Sequence, residues 1–139
     1  MEKKSIKRTL TRVSAGQGKH KVNINAIMCG DEIVAILSGG EKPHVGAVAV
    51  ALPSPSPKNS GKITSTSSVF TLIGHKDDEI ARPFSRRVAK DLNRVCVGVV
   101  GVHVNNASNQ DIELLLTNSA KCVEKLIHQL RKSLALECL

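Results

Sequence analysis

Three histidines, each within two residues of a glycine, are the side chains best suited to chemistry in this chain of 139 residues: His44, His75 and His103. Each adjoins a stretch with the pattern of a β-strand. Polar side chains at strand ends, beside glycines that let a ligand approach the backbone, are typical of binding and catalytic sites. If the strands are neighbours, the three segments converge, and we then expect the imidazoles to line one cleft.

Each histidine also has an ordinary structural explanation. His44 could be a solvated side chain in a loop, and His103 could be a hydrogen-bonded histidine of the core. His75 precedes a helical pattern whose backbone N–H groups could hold a phosphate with help from Lys76. The acidic residues 77–79 would repel that anion and suit the helix dipole instead. Both interpretations remain open for each residue.

Other kinds of site are less favoured. Three imidazoles can bind zinc, but no His-x-x-x-His pair fixes their spacing, and we predict no metal site. No Gly-x-Ser-x-Gly turn supports a nucleophile. The four cysteines are far apart and form no Cys-x-x-Cys pair, so that we expect mainly structural, reduced thiols. They are Cys29, Cys96, Cys122 and Cys138.

Composition predicts one domain, residues 1–139, with a basic N-terminal segment, 1–20. No apolar run approaches the roughly 20 residues of a membrane span, and the charged N-terminus lacks the apolar stretch of a signal peptide. We therefore expect a cytoplasmic protein. The net charge of +8 suits either solubility or an anionic ligand. Nucleic acid is not favoured, because the chain has no Tyr or Trp on which bases could stack.

The apolar patterns predict an α+β domain, in which two helices pack on a mostly antiparallel sheet. Residues 53–61, rich in Pro and Ser, are predicted to be a surface loop. Residues 77–92 have helical spacing, although Pro83 requires either a kink or a start near Ile80. A long helix follows Ser108, and its wide apolar stripe (or a sheet edge) predicts a homodimer. The predicted strands span residues 5–13, 21–28, 33–37, 45–52, 63–73 and 95–104, the last being the candidate for the central strand.

Four segments of this sequence together carry a family resemblance: Gly39–Ala49, Thr64–Val69, Gly74–Pro83 and Gly101–Ala107. They resemble the LpdD-like prenylated-flavin chaperones, accessory proteins of gallate-type non-oxidative decarboxylases. The resemblance covers roughly Ile33 to Leu130.

The resemblance implies a non-catalytic protein that binds prenylated flavin mononucleotide as cargo and assists its delivery to a decarboxylase. It also implies a fold similar to that of the dimeric proteasome-assembly chaperones. The site it implies consists of His44, Gly46, Ser65, Ser67, His75, Lys76, His103 and Asn105. Two alternatives remain open: an enzyme, as a small decarboxylase subunit or a hydrolase that uses the three histidines, and an assembly chaperone that binds only protein.

Overall fold

The computed structural model describes residues 10–72 and 77–137, without the side chains of 136 and 137. Six strands and two long helices account for most of the described chain, and a single 3-10 turn, Gly18–His20, joins the first two strands. The elements are β1 (Thr11–Ala15), β2 (Val22–Cys29), β3 (Glu32–Gly40), β4 (Ala47–Pro55), β5 (Ile63–Thr71), α1 (Asp78–Leu92), β6 (Cys96–His103) and α2 (Asn109–Glu137).

The strands form one sheet in the order β1-β2-β3-β6-β4-β5. Only the β3–β6 pair is parallel among the described pairs, and the others are antiparallel. Helix α1 packs on β4, β5 and β6, whereas α2 packs on β1 and β2. The predicted two-layer α+β fold is therefore confirmed. The apolar segment predicted to be central forms β6, which lies between β3 and β4.

The core lies between the helices and one face of the sheet. Alternate residues of β2 and β3, such as Ile24 and Leu37, are fully buried there, and Phe84 and Val88 of α1 pack against the same layer. Burial is also the main cause that raises the pKa of Cys96 to about 12 and that of Cys122 to about 11. Both thiols are free and stay protonated at neutral pH, as expected of structural cysteines.

The predicted surface loop 53–61 is too long at its N-terminal end. Pro53 and Pro55 belong to β4 and pair with Ser65 and Ile63 of β5. The reason is that β6 pairs with β4 only as far as Ala51. Beyond that residue β4 has a partner on one side alone, and proline is tolerated at such an edge.

The first strand is also displaced from its predicted position. It runs over Thr11–Ala15, two residues beyond the predicted end at Val13, and the chain turns at Gly16, which has a φ of +84°. The pairing with β2 holds Ser14 in the strand. Residues 5–9 of the predicted strand lie outside the described part of the chain.

Both helices begin as the sequence indicates. Helix α1 starts at Asp78 and continues through Pro83. At the start of α2, the Ser108 hydroxyl accepts a hydrogen bond from the Asp111 N–H at 3.1 Å, and the Asp111 carboxylate accepts one from the Ser108 N–H at 2.9 Å. This reciprocal pair satisfies backbone donors that a helix start leaves without partners. In the described ranges, no helix is both long enough and apolar enough to cross a membrane.

The wide stripe of α2 is mostly covered by this chain's own sheet. Leu115, Val123, Leu126 and Leu130 are all buried. The homodimer stays a prediction, but this stripe no longer supplies the main argument for it.

Candidate functional site

The connection between β3 and β4 crosses over the C-terminal end of β6. It must do so because β3 and β4 are the two neighbours of β6. Gly40 turns the chain with a φ of +78°, and the His103 carbonyl accepts hydrogen bonds from the N–H groups of Glu41 and Lys42 at 2.7 and 3.3 Å. Gly101 lies directly beneath the loop, where a Cβ atom would overlap the carbonyl of His44. This close approach of two backbone segments places His44 beside His103.

Asp77 is the buried centre of the site. Its Oδ2 lies 3.1 Å from His44 Nε2, and its Oδ1 accepts a hydrogen bond from the Val102 N–H at 3.0 Å. The residue is only 5% exposed. A Cβ atom at Gly46 would overlap this carboxylate, so glycine is required there. The sequence predicted that Gly46 leaves room for a ligand, and the structure fills that room with Asp77.

Asp77 was not predicted from the sequence to belong to the site. Its position favoured a role at the start of the helix, where a carboxylate suits the helix dipole and usually caps backbone N–H groups. In the structure the Asp77 side chain makes no such cap, because His44 and Val102 occupy its oxygens. The available signal was an acidic residue at the junction between a strand and a helix, in a segment that also carries His75.

Two acceptors face the ring of His44. Its Nδ1 lies 3.0 Å from the Lys42 carbonyl, and its Nε2 contacts the Asp77 carboxylate. Neither partner can donate when the carboxyl group is ionised. A neutral imidazole donates to one of them, and donation to both requires a proton on each ring nitrogen. The arrangement fixes the ring orientation in either state.

His103 completes the histidine pair, defined here as His44 and His103. The two ring centroids lie 6.2 Å apart with an interplanar angle of 80°. The Nε2 atom of His103 lies 3.1 Å from Asn105 Oδ1, and the Asn105 N–H donates to Glu41 Oε1, also at 3.1 Å. His103 and Asn105 are exposed, so that this end of the pair is accessible to a ligand.

A cavity of about 470 Å³, called the β6 cleft below, opens beside the pair. Its size falls within the range of small-molecule sites. Four of its lining residues are polar: Asp77, Glu79, His103 and Asn106. The remaining walls are aliphatic: Ile80, Val102, Val104, Ala107, Ile112, Leu115 and Leu116.

A smaller cavity of about 220 Å³ lies between α1 and α2. It shares Glu79, Ile80 and Leu116 with the β6 cleft, which makes the two spaces neighbours. Ser119 lines the smaller space, and its buried hydroxyl has no hydrogen-bond partner among the described residues. A polar group of a bound molecule could satisfy it.

The start of α2 is fixed beside the cleft by an ionic contact. His20 Nε2 lies 2.7 Å and Lys19 Nζ 3.4 Å from Asp111 Oδ1. The hydrogen bond from His20, followed by those from Ser108, holds the pKa of Asp111 well below its usual range. The ionised carboxylate therefore ties the 3-10 turn to the helix that supplies one wall of the cleft.

The predicted site residues do not all meet. His44, Gly46, His103 and Asn105 come together at the end of β6. Ser65 and Ser67 lie on β5, four or more residues from Thr71, whose partner Ala47 begins β4 beside the pair. At about 3.3 Å per residue they are roughly 13–20 Å from that end of the strand. The Ser65 hydroxyl donates to the Arg86 carbonyl at 2.8 Å, an interaction with α1.

His75 and Lys76, also predicted to belong to the site, lie outside the described residues. In the ranges that the structure covers, no three His, Cys, Asp or Glu side chains are grouped closely enough to hold a metal ion.

Comparison with known proteins identifies the family. A family model described as the prenylated flavin chaperone LpdD-like domain matches residues 16–131, and the chain therefore belongs to this family. No functionally curated protein matches it in sequence. Among solved structures, a chain from a chaperone complex for yeast 20S proteasome assembly aligns with a TM-score of 0.56 at 14% identity, covering 90% of this chain and 98% of that one. At this identity the likeness shows a shared fold.

Proposed function

We propose that this chaperone-family protein binds prenylated flavin mononucleotide in the β6 cleft and assists its delivery to a non-oxidative aromatic-acid decarboxylase. The observation that carries the proposal is a cavity of about 470 Å³ that adjoins the histidine pair in a chain of this family. Both the cavity walls and the pair lie within the matched residues 16–131.

The ring system of the flavin suits the walls of the cleft. It is flat and mostly apolar, with carbonyl and ring-nitrogen groups at its edge. Aliphatic side chains such as Ile80, Val102 and Leu115 offer contact with its faces. His103 and Asn106 offer hydrogen bonds to its polar edge. No Phe, Tyr or Trp stands among the described lining residues, so that most contacts with the flavin ring are aliphatic.

The charges of the cleft suggest an orientation for the phosphate. Asp77 faces His44 and the Val102 N–H, whereas Glu79 lines the cavity and forms no ion pair with another described residue. A phosphate would be repelled by Glu79. The ionised Asp111 at the start of α2 would repel it as well. We therefore place it beside Asn106, whose side-chain amide can donate a hydrogen bond to it.

A binding role fits the cleft better than nucleophilic catalysis. The described lining residues include no Ser, Thr, Cys or Lys that the histidine pair could activate. The enzyme alternative does have one specific observation in its favour, since a buried carboxylate that orients a histidine is also the arrangement of a general base. The experiment must therefore measure turnover as well as binding.

The decisive experiment mixes the purified chain with reduced prenylated flavin mononucleotide, with flavin mononucleotide in a parallel sample. We expect the prenylated flavin to co-elute with the protein in gel filtration with a shifted absorbance spectrum. The loaded chain should then activate an apo-decarboxylase. His103→Ala should weaken binding, and His128→Ala, an exposed histidine on α2, is the matched control.

Other outcomes would support a different function or reject flavin binding. Conversion of an aromatic acid by the chain without flavin would support the enzyme. A stable complex with the decarboxylase and no flavin in either partner would support a chaperone that binds only protein. Absence of both signals would leave the β6 cleft without its proposed ligand and reject the proposal.

We also propose that the chain acts in the cytoplasm as a homodimer. The support for the dimer is the apolar surface of the sheet that the helices leave uncovered, which includes the exposed side chains of Ile27, Ile36, Leu52 and Phe70. Light scattering of the chain at tens of micromolar should give twice the chain mass of 14.9 kDa, and a monomer mass would reject the dimer.

A further inference from the structure

The two outer strands of the sheet differ in how their free edges are protected. At one edge, β1 is five residues long and carries Arg12, and the Lys125 ammonium group of α2 donates to its Ser14 carbonyl at 2.7 Å. Short length and charged side chains are common means of keeping a strand edge from pairing with another chain. At the other edge, β5 is nine residues long and contains no charged residue, proline or glycine. The β5 strand therefore lacks the protection that β1 has.

The hydrogen bonds at the ends of β5 show which backbone groups point to its free edge. The Leu72 N–H donates to the Gly46 carbonyl at 3.0 Å, and the Ser56 N–H donates to the Lys62 carbonyl at 2.8 Å. Both bonds join even-numbered residues of this segment to the β4 side, and the register between them is unbroken. Because antiparallel strands bond through alternate residues, the N–H and C=O groups of the odd-numbered residues point away from β4. These residues are Ile63, Ser65, Ser67, Val69 and Thr71.

Helix α1 carries three exposed basic residues at four-residue spacing, called the basic stripe below: Arg82, Arg86 and Lys90. Residues four apart are neighbours on the surface of a helix. None of the three forms an ion pair with another described residue. Asp78, one turn before Arg82, is the acid at the start of this row, so that the row as a whole stays basic.

The helix that bears the stripe runs along β5. Asp77, directly before α1, packs against Gly46, whose carbonyl binds the Leu72 N–H at the end of β5. Further along the helix, the Arg86 carbonyl accepts a hydrogen bond from the Ser65 hydroxyl at 2.8 Å, near the start of β5. Helix α1 therefore follows β5 in the opposite direction.

The stripe lies on the side of α1 that is turned away from α2. On the other side of the helix, Arg87 Nη2 lies 3.4 Å from Glu124 Oε1 of α2. Arg82 and Arg86 are separated from Arg87 by about 100–140° around the helix. Since α2 packs on β1 and β2, and α1 on β4, β5 and β6, the side away from α2 is the side of the free β5 edge.

From this edge we propose that β5 binds an extended segment of another protein, which adds to the sheet as a further strand and directs acidic side chains at the basic stripe. Main-chain hydrogen bonds supply affinity in this mode of recognition, and side chains supply specificity. Alternate side chains of a strand are about 6.6 Å apart, and residues four apart on a helix are about 6 Å apart along its axis. Acidic residues at every second position of the segment therefore match the stripe. The inference goes beyond flavin binding and does not depend on it.

Charge distinguishes this partner from the other chains that could reach the edge. A second copy paired through the same edge would bring two basic stripes together, and like charges repel. The N-terminal segment of this chain, residues 1–9, contains four basic residues and one acid, so that its charge does not match the stripe either. The net charge of +8 also favours an acidic partner.

The test uses a synthetic peptide with the nine-residue length of β5, in which Glu alternates with Thr or Val. The peptide is capped at both ends and labelled with fluorescein, and its fluorescence anisotropy is measured as the flavin-free chain is added. The same peptide with Lys in place of Glu is the control for charge. We expect the Glu peptide to bind and the Lys peptide not to bind. Binding should also slow amide hydrogen exchange at Ser67 and Val69, whose N–H groups point to the free edge, and leave Ser68 unchanged.

Two variants separate the role of the strand edge from that of the charge. Ser67→Pro removes an outward N–H and no bond to β4, so that the melting temperature should change little while peptide binding is lost. Arg82→Glu combined with Arg86→Glu should raise the peptide dissociation constant at least about tenfold, because two attractions become repulsions. Lys121→Glu combined with Lys132→Glu is the matched control, since it changes the net charge equally at exposed positions of α2 and should leave binding unchanged.

Four results would overturn the inference. The first is a wild-type chain that does not bind the Glu peptide, and the second is binding that the control variant weakens as much as the stripe variant does. The third is binding that survives Ser67→Pro and is lost on charge reversal, because the surface would then attract anions in general, nucleic acid included. The fourth is slow amide exchange at Ser67 and Val69 without peptide, because the edge would then already be covered. Since flavin is absent throughout, flavin binding is decided by its own experiment.

Discussion

Removal of the Asp77 carboxylate should destabilise the fold and the site together. In Asp77→Ala, the Val102 N–H loses its acceptor at 3.0 Å, and His44 loses the partner that lies 3.1 Å from its Nε2. Hydrogen bonds to a charged group contribute about 1.5–3 kcal/mol each, and an unpaired buried donor adds its own desolvation cost. The His44 side chain is 19% exposed, so water replaces part of its bond. We expect a net loss of about 2–4 kcal/mol in the free energy of unfolding.

Asp77→Asn separates the two roles of the carboxylate. The amide oxygen can still accept from the Val102 N–H, and the amide NH₂ group can donate to Nε2 of a neutral His44. Only the charge is lost, and we expect the free energy of unfolding to fall by about 1 kcal/mol. Urea unfolding followed by circular dichroism measures both variants. The midpoint urea concentration should fall without a change in the slope m, the dependence of the unfolding free energy on urea. If Asp77→Ala cost no more than Asp77→Asn, the bond to the backbone would not hold the site in place.

Three further outcomes are expected. Gly101→Ala should lower the melting temperature and weaken flavin binding, because the new Cβ would overlap the His44 carbonyl of the crossing loop. An unchanged melting temperature would refute that packing. His103→Ala should reduce flavin affinity roughly three- to tenfold, since a hydrogen bond between the imidazole and a neutral ligand group contributes about 0.5–1.5 kcal/mol. The melting temperature should change little. The lowered pKa of Asp111 means that its ionised form stabilises the fold above the unfolded value, about 3.9, and that this contribution is lost as the pH falls below it. The difference in melting temperature between the wild type and Asp111→Asn should therefore shrink between neutral pH and pH 3. A constant difference would contradict the role of the ionised Asp111 carboxylate in its contacts with Lys19 and His20.

Local patterns were sufficient where the structure depends on near neighbours. The spacing of Phe84 and Val88 predicted the buried side of α1, because helical periodicity alone sets that side. The pair Ser108 and Asp111 predicted the start of α2, since both partners of the cap lie within one turn. The order of strand and helix patterns along the chain predicted the two-layer fold, because each pattern is local to its own element.

Features that depend on distant partners were missed. Pro53 belongs to β4 because of where β6 ends, which its own neighbours do not indicate. Ser65 and Ser67 were assigned to the site by resemblance, but strand membership did not reveal which end of β5 they occupy. Asp77 acquired its role from His44, 33 residues earlier in the chain, and local sequence favoured a helix cap.

The position of Asp77 explains why fold and site are coupled in this protein. Gly46 marks the point where the chain enters β4, with its N–H bound to the Val100 carbonyl at 2.9 Å. Two residues further along β6, the Val102 N–H receives its acceptor from the Asp77 side chain. The same carboxylate therefore completes the hydrogen bonding of the central strand and orients His44 above it. A ligand that contacts the histidine pair thus contacts a group whose position is set by the sheet. The cargo proposed for the β6 cleft would therefore meet a rigid wall at β6, and movements that release it would have to come from the helices or from the 41–46 loop.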